Sequence, residues 1–184
     1  QKVSDDDVIK LLNDQKIISV FNKGSESGRR ALGNRSIIAD PRSPKMKDMI
    51  NEKVKHRQWF RPFAPSILRE EVSNWFVQDT NSPYMDKVIH FKDEVKHKVP
   101  AVVHFDGSAR LQTVTKNDNE WYYNFIKKWF KVSGVPIILN TSFNDREPIV
   151  ETPEHAINCF VGTNIDYLYF SDVQLLVEKN KNNN

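Results

Sequence analysis

Along this chain the spacing of apolar positions changes between a helical and a strand-like period, and the changes mark its elements. Val8, Ile9, Leu11 and Leu12 follow Asp5-Asp6-Asp7. That spacing, with acids in the first turn, predicts a short helix. Ile17 to Phe21 is a run of strand length, and the polar, glycine-bearing stretch from Asn22 to Gly28 predicts a loop. Ser36 to Ala39 forms a second strand-like run closed by Asp40-Pro41. Ser43-Pro44 offers an N-cap and a proline at the first position of a helix reaching about Lys55. Pro62 and Pro65 break regularity, Ala64 to Leu68 predicts a strand, Glu70 to Phe76 a helical turn or two, and residues 77–87 a loop.

In the second half, Val99 to Phe105 and Leu111 to Thr115 are two strand-like runs separated by Asp106-Gly107-Ser108, so a hairpin is expected there. Between Asn119 and Lys131, Trp121, Tyr122, Phe125, Ile126, Trp129 and Phe130 recur at helical spacing, and Gly134 ends the helix. Val135 to Leu139 predicts a strand, Pro153 to Phe160 a helix capped by Thr152, and Asp166 to Phe170 and Val173 to Glu178 the last two strands. Helices and strands alternate, but two hairpins interrupt a strictly parallel order. The expected fold is therefore α/β, an open twisted mixed sheet with flanking helices.

Composition narrows this picture more than it changes it. The 184 residues are 39% hydrophobic and 28% charged with a net charge of +3, which fits one globular domain and excludes a disordered chain. The single cysteine, Cys159, excludes an internal disulfide framework and a cysteine-only metal cage. No stretch reaches the roughly 18 to 20 apolar residues of a membrane helix, and residues 1–5 lack the apolar segment of a signal peptide. A cytoplasmic setting without membrane contact is expected. The first residue is Gln1 and not methionine, which suggests a piece of something longer. Residues 1–178 are expected to form the domain, and the polar end, residues 179–184, a disordered tail.

Polar motifs cluster at the ends of apolar strands, where ligands bind in open α/β sheets. In Gly28-Arg29-Arg30-Ala31-Leu32-Gly33-Asn34-Arg35-Ser36, glycines let the backbone approach an anion and three guanidinium forks can grip phosphate. The plain alternative is a solvated basic turn. The run from Asn51 to Pro65 sets Lys55, His56, Arg57 and Arg61 among Trp59, Phe60 and Phe63, which suits a polyphosphate clamp or simply a charged helix end facing water. Arg110 follows the Asp106-Gly107 turn at the start of a strand, and Asn140, Thr141, Ser142 and Asn144 gather hydrogen-bonding groups after another. Glu151 to His155 most simply starts a helix. No Ser-His-Asp order, helical His-Glu-x-x-His or calcium loop is present, so hydrolase and metal-site readings fall and no metal is expected on this chain.

Five motifs taken in order carry a resemblance: Gly28 through Arg42; Lys55-His56-Arg57 with Phe60-Arg61-Pro62-Phe63-Ala64-Pro65; Ser82-Pro83-Tyr84-Met85; His104, Asp106-Gly107, Arg110 and Gln112; and Asn140-Thr141-Ser142-Phe143-Asn144 with Glu147-Pro148-Ile149-Val150. Together they resemble the C-terminal, YrdC-like domain of the nodulation-type and antibiotic-tailoring O-carbamoyltransferases over nearly the whole chain. Arg29 stands where that family's pattern has proline, and a glycine of many relatives is missing between Asn144 and Glu147.

The resemblance implies a domain that binds ATP, with Mg²⁺, and carbamoyl phosphate, and that forms carbamoyl-AMP. Final transfer to a hydroxyl acceptor would belong to an N-terminal, metal-binding transferase domain of the same full-length protein, whose metal is not bound here. Carried over residue by residue, the ligand contacts are Arg30, Lys55, Arg61, Arg110, Asn140 and Ser142, with Lys55, Arg61 and Arg110 acting on the reacting phosphate. The rival readings are a non-catalytic nucleotide- or RNA-binding module and an interdomain docking module of the same fold. The near-neutral net charge makes nucleic acid the weaker partner.

Overall fold

The computed structural model describes residues 1–179. Its order is α1 (Asp5–Asn13), β1 (Ile18–Phe21), β2 (Arg35–Ala39), α2 (Met46–Lys53), β3 (Ala64–Leu68), α3 (Val72–Trp75), β4 (Lys87–His90), α4 (Asp93–Lys96), β5 (Ser108–Val114), α5 (Glu120–Ser133), β6 (Ile137–Ser142), α6 (Pro153–Gly162), β7 (Tyr167–Phe170) and β8 (Leu175–Glu178). The strands form one sheet in the order β4-β5-β3-β6-β2-β1-β7-β8. β3 with β5 and β1 with β7 run parallel, and the remaining neighbours are antiparallel. The sheet is mixed and open, as the pattern of apolar runs predicts. No helix among the described residues is long and apolar enough to cross a membrane.

Local chemistry explains the helix ends. Ser4 and Asp7 cap α1 reciprocally, each side chain accepting the other's backbone N–H. Asn119 accepts the Tyr122 N–H at the start of α5, and Gly134 ends that helix in the left-handed region at φ 76°. Thr152 caps α6 at the His155 N–H, with Pro153 at its first position. The aromatic face of α5 is buried as its spacing predicts: Tyr122, Phe125, Ile126 and Trp129 are fully enclosed. Trp129 also donates its indole N–H to the Ile137 carbonyl at 2.8 Å, which ties α5 to β6.

Two expectations are corrected. Val99 to Phe105 is not a strand: Pro100 lacks the N–H that a ladder needs and opens a short 3-10 turn, Pro100–Val102, whose Ala101 N–H bonds the Pro41 carbonyl. The antiparallel partner of β5 is instead β4, inside and just past the stretch read as loop. Lys87, Val88 and His90 of this edge strand are exposed, so it lacks the alternation that marks a half-buried strand. Ser43-Pro44 does not cap α2 either. Those residues make a turn, the Met46 N–H bonding the Ser43 carbonyl, and the helix begins at Met46 with no side-chain cap. The tail expected from residue 179 lies, beyond that first residue, outside the described residues. Lys179 itself donates to the Thr163 carbonyl.

Strand register places the polar residues on one face. Ser66 pairs with Gln112, Ala64 with Asn140, Asn140 with Ile38, and Ser142 with Ser36. Paired residues share a face and i, i+2 neighbours return to it. Arg110, Gln112, Ser66, Asn140, Ser142 and Ser36 therefore all project from the same side of four adjacent strands.

Candidate functional site

The floor of the candidate site is this polar stripe. Ser66 Oγ donates to Gln112 Oε1 at 2.5 Å, and Asn140 Nδ2 donates to the same oxygen at 2.8 Å and to the Ala31 carbonyl at 3.1 Å. Gln112 Nε2 donates to the Leu32 carbonyl at 3.1 Å. Asn140 is buried and its amide nitrogen is turned to protein acceptors, while its Oδ1 has no partner among the described residues.

Two loops present cations at the rim. Asn51, buried on α2, organises the first: its Oδ1 accepts from Arg57 Nε at 2.8 Å, and its Nδ2 donates to the Trp59 and Arg61 carbonyls. Arg57 stacks over Phe63 at 4.9 Å and Arg61 stays exposed. The second loop carries Arg29 and Arg30, both exposed. Its third arginine, Arg35, is withdrawn from any ligand: it lies buried over the Phe21 ring and donates to the Asn22, Lys23 and Asn34 carbonyls.

Electrostatics link these cations into one run. Burial lowers the pKa of Arg57, helped by repulsion from Arg61 and Arg110; burial and then Arg30 lower that of Arg110. His104, bonded to Ser108 Oγ at 3.2 Å, is likewise lowered by burial and by the nearby Arg110 and Lys47, against Asp106. Among the described residues Arg30, Lys55, Arg57, Arg61 and Arg110 form no ion pair. Arg110 Nε is buried without a hydrogen-bond partner among the described residues. Like charges gathered without counter-charge are costly, so such a cluster is suited to a polyanion.

Lys55, just beyond α2, is only 6% exposed. Its ammonium donates to the Ser142 carbonyl at 2.6 Å, to the Asn144 carbonyl and Oδ1 at 2.8 Å each, and lies 3.3 Å from Ser142 Oγ. Burial and then Arg57 push its pKa down to about 7, against Cys159 and Asp145.

The structure thus joins Lys55 to Ser142 directly and Arg30 to Arg110 electrostatically, with Arg57 bridging to Arg61. It sets Asn140 beneath them. Arg57, Gln112 and Asn144 belong to the same assembly; they stand in the motifs read from sequence but not among the ligand contacts that the resemblance carried over. The alternating polar positions of Lys55-His56-Arg57 and Ser142-Phe143-Asn144 are the signal that could have found two of them. A cavity of about 430 Å³ lies against Arg29, Arg30, Tyr84, Gln112 and Asn119. A larger one of about 600 Å³ opens beyond Asn144, between residues 145–151 and α6. We centre the site on the cation run, because the larger cavity has mixed charge with Asp145, Glu147 and Glu151 on its wall.

Known proteins resemble this chain in sequence and in fold. The profile of the family described as Carbamoyltransferase C-terminus matches residues 9–179. The nodulation protein NolNO of Sinorhizobium fredii is 45% identical over 159 residues, covering 84% of this chain and 23% of that protein. The chain spans about a quarter of the length of curated relatives such as this one. Full-length HypF, in its phosphate- and nucleotide-bound form, superposes with a TM-score of 0.58 at 16% identity, over 85% of this chain and 23% of HypF. A Sua5 variant from P. abyssi superposes with a TM-score of 0.55 at 12% identity, over 86% of this chain and 43% of that one. These neighbours share the YrdC-like fold.

Proposed function

The chain belongs to the carbamoyltransferase C-terminal family, and from that premise we propose that it is the carbamoyl-activating domain, taking ATP and carbamoyl phosphate to carbamoyl-AMP. The observation that carries this reading is the run of cations that, among the described residues, has no carboxylate partner, beside the Lys55–Ser142–Asn144 cluster. ATP and carbamoyl phosphate together bring roughly six negative charges that must be held close, and fixed cations offset their repulsion without reorganising.

In this reading Arg30, Arg110, Arg57 and Arg61 hold the phosphates. Lys55, held in place by Ser142 and Asn144, meets the reacting phosphate beside the carbamoyl-bearing end. Water would cleave carbamoyl phosphate to carbamate and inorganic phosphate. A carbamate oxygen then attacks the α-phosphorus of ATP, the bond to the β-phosphate oxygen breaks, and pyrophosphate leaves with the electron pair. Mg²⁺ enters as part of the nucleotide substrate, on the phosphates; no cluster of three or more metal-ligating side chains stands among the described residues. Transfer to a hydroxyl acceptor belongs, in this proposal, to a further domain such as the longer relatives have room for.

The test is release of labelled pyrophosphate from ATP with carbamoyl phosphate present, with mass spectrometry for carbamoyl-AMP or its breakdown to AMP. A carbamoylated acceptor made by this chain alone would overturn the division of labour. Arg110→Ala should weaken ATP binding by about 1.5 to 3 kcal/mol while leaving the melting temperature near the parent's. Unchanged affinity, read by calorimetry, would remove Arg110 from the site. A docking module is the second reading, favoured by Trp59 and Phe60, which stand 71% and 60% exposed beside Arg57 and Arg61. Absence of nucleotide binding at millimolar ATP would put it ahead.

A further inference from the structure

We propose that Gln112 is a positioning residue that sets the arginine loop of the phosphate site, acting with Asn140 and Ser36 to clamp the main chain of residues 31–33 onto the sheet. The proposal rests on the function just given, and concerns how Arg30 is aimed.

Three strands contribute one side chain each to the clamp. Gln112 on β5 donates to the Leu32 carbonyl at 3.1 Å, Asn140 on β6 to the Ala31 carbonyl at 3.1 Å, and Ser36 Oγ on β2 accepts the Gly33 N–H at 2.9 Å. From the outer side, one carboxylate oxygen of Glu26 accepts the Leu32 and Asn34 N–H groups at 2.8 and 2.7 Å. Gln112 sits at the centre, because its own Oε1 is fixed by Ser66 and Asn140. Its side chain is therefore held at both ends.

A buried amide costs free energy unless every polar atom is bonded, and an apolar residue at this strand position would pack without that condition. The Gln112 amide meets the condition by holding a loop that is otherwise exposed from Lys23 to Arg30, apart from half-buried Glu26. Gln112 and Arg110 lie two residues apart on one face of β5. The strand that presents one arginine thus grips the loop that presents the other, and a single register fixes their separation. Gln112 also lines the 430 Å³ cavity with Arg30.

Gln112→Met keeps length and apolar bulk but removes both the donor and the acceptor. With pyrophosphate as the probe, Gln112→Met and Arg30→Ala should each weaken binding about tenfold, and the double variant no more than either. Gln112→Met combined with Arg61→Ala should multiply. Amide exchange should quicken across residues 31–34 and stay unchanged in β6. Binding like the parent's, or a multiplicative loss with Arg30→Ala, would overturn the proposal. So would unchanged exchange in the loop. If the parent binds no pyrophosphate, the function proposed above fails and exchange alone decides the clamp. Should Gln112→Met not fold, Gln112→Glu keeps the acceptor and removes only the donor to Leu32; it is read by exchange, since its charge would itself repel an anion.

Discussion

Lys55→Met is expected to weaken ATP and pyrophosphate binding about a hundredfold at pH 6, and to erase a pH dependence that the parent shows above neutrality. The ammonium is the most deeply enclosed cation of the site and touches four oxygens at the end of β6. Methionine removes the charge and leaves the Ser142 and Asn144 carbonyls without their donor. With a pKa near 7 in the folded chain against 10.5 for an ordinary lysine, the unfolded chain binds more protons between those values. Stability therefore rises with pH from about 7 to 10.5, and the buried charge costs most below 7. A bound anion favours the charged form, so binding takes up a proton above pH 7 and affinity falls by up to tenfold per unit. The ionisation of ATP itself affects parent and variant alike and drops out of their ratio. Calorimetry in buffers of different ionisation enthalpy counts the protons. An equal slope in Lys55→Met would assign the titration to another group.

Gly33→Ala should cost about 3 kcal/mol or more of folding stability, the larger structural effect available in the arginine loop. Gly33 has φ +119°, a region that side chains rarely adopt, and a Cβ there would lie 2.6 Å from Tyr122 Cδ1 and 2.7 Å from Cγ. Tyr122 is fully buried in the face of α5 that meets the sheet. Its ring has nowhere to go. Gly24→Ala is the control: nothing lies within 4 Å of the added carbon and φ is not positive, so a change under about 0.5 kcal/mol is expected. Urea denaturation of the three chains measures both, and a Gly33→Ala midpoint equal to the control's would show that the loop and α5 yield together.

Sequence made visible what is local. The caps at Thr152 and Gly134 and the aromatic spacing of α5 act within one element, and each is found where its residues predict. Strand order is not local. Nothing in Ile18–Phe21 says that it lies between β2 and β7, since register depends on partners far along the chain. Val99 to Phe105 misleads because apolar residues that pack under a 3-10 turn have the composition of a strand. At the site, motif resemblance picked Arg30, Lys55, Arg61, Arg110, Asn140 and Ser142 one by one; that Lys55 bonds Ser142, and that Arg30 lies near enough to repel Arg110, is visible only in the structure. Arg35 illustrates the opposite case. Arg29 and Arg30 of the same motif are exposed, and only the three-dimensional course of residues 22–34 surrounds Arg35 with carbonyls. Asn51 was equally invisible, because a polar residue in a helix looks exposed until a loop folds back over it.

Residues 1–3 lie antiparallel along β8, with Lys2 opposite Leu175, the Leu176 N–H bonded to the Gln1 carbonyl and the Val3 N–H to the Gln174 carbonyl. The first residues and the last strand thus meet on one edge of the sheet, side by side at the same end. Tension applied through those two points would load the hydrogen bonds singly, as a zip is opened, instead of shearing a whole ladder at once. In a single-molecule pulling experiment the first event is peeling of the N-terminal segment from β8 at low force, with the strands beneath the candidate site, β5, β3, β6 and β2, still paired behind it.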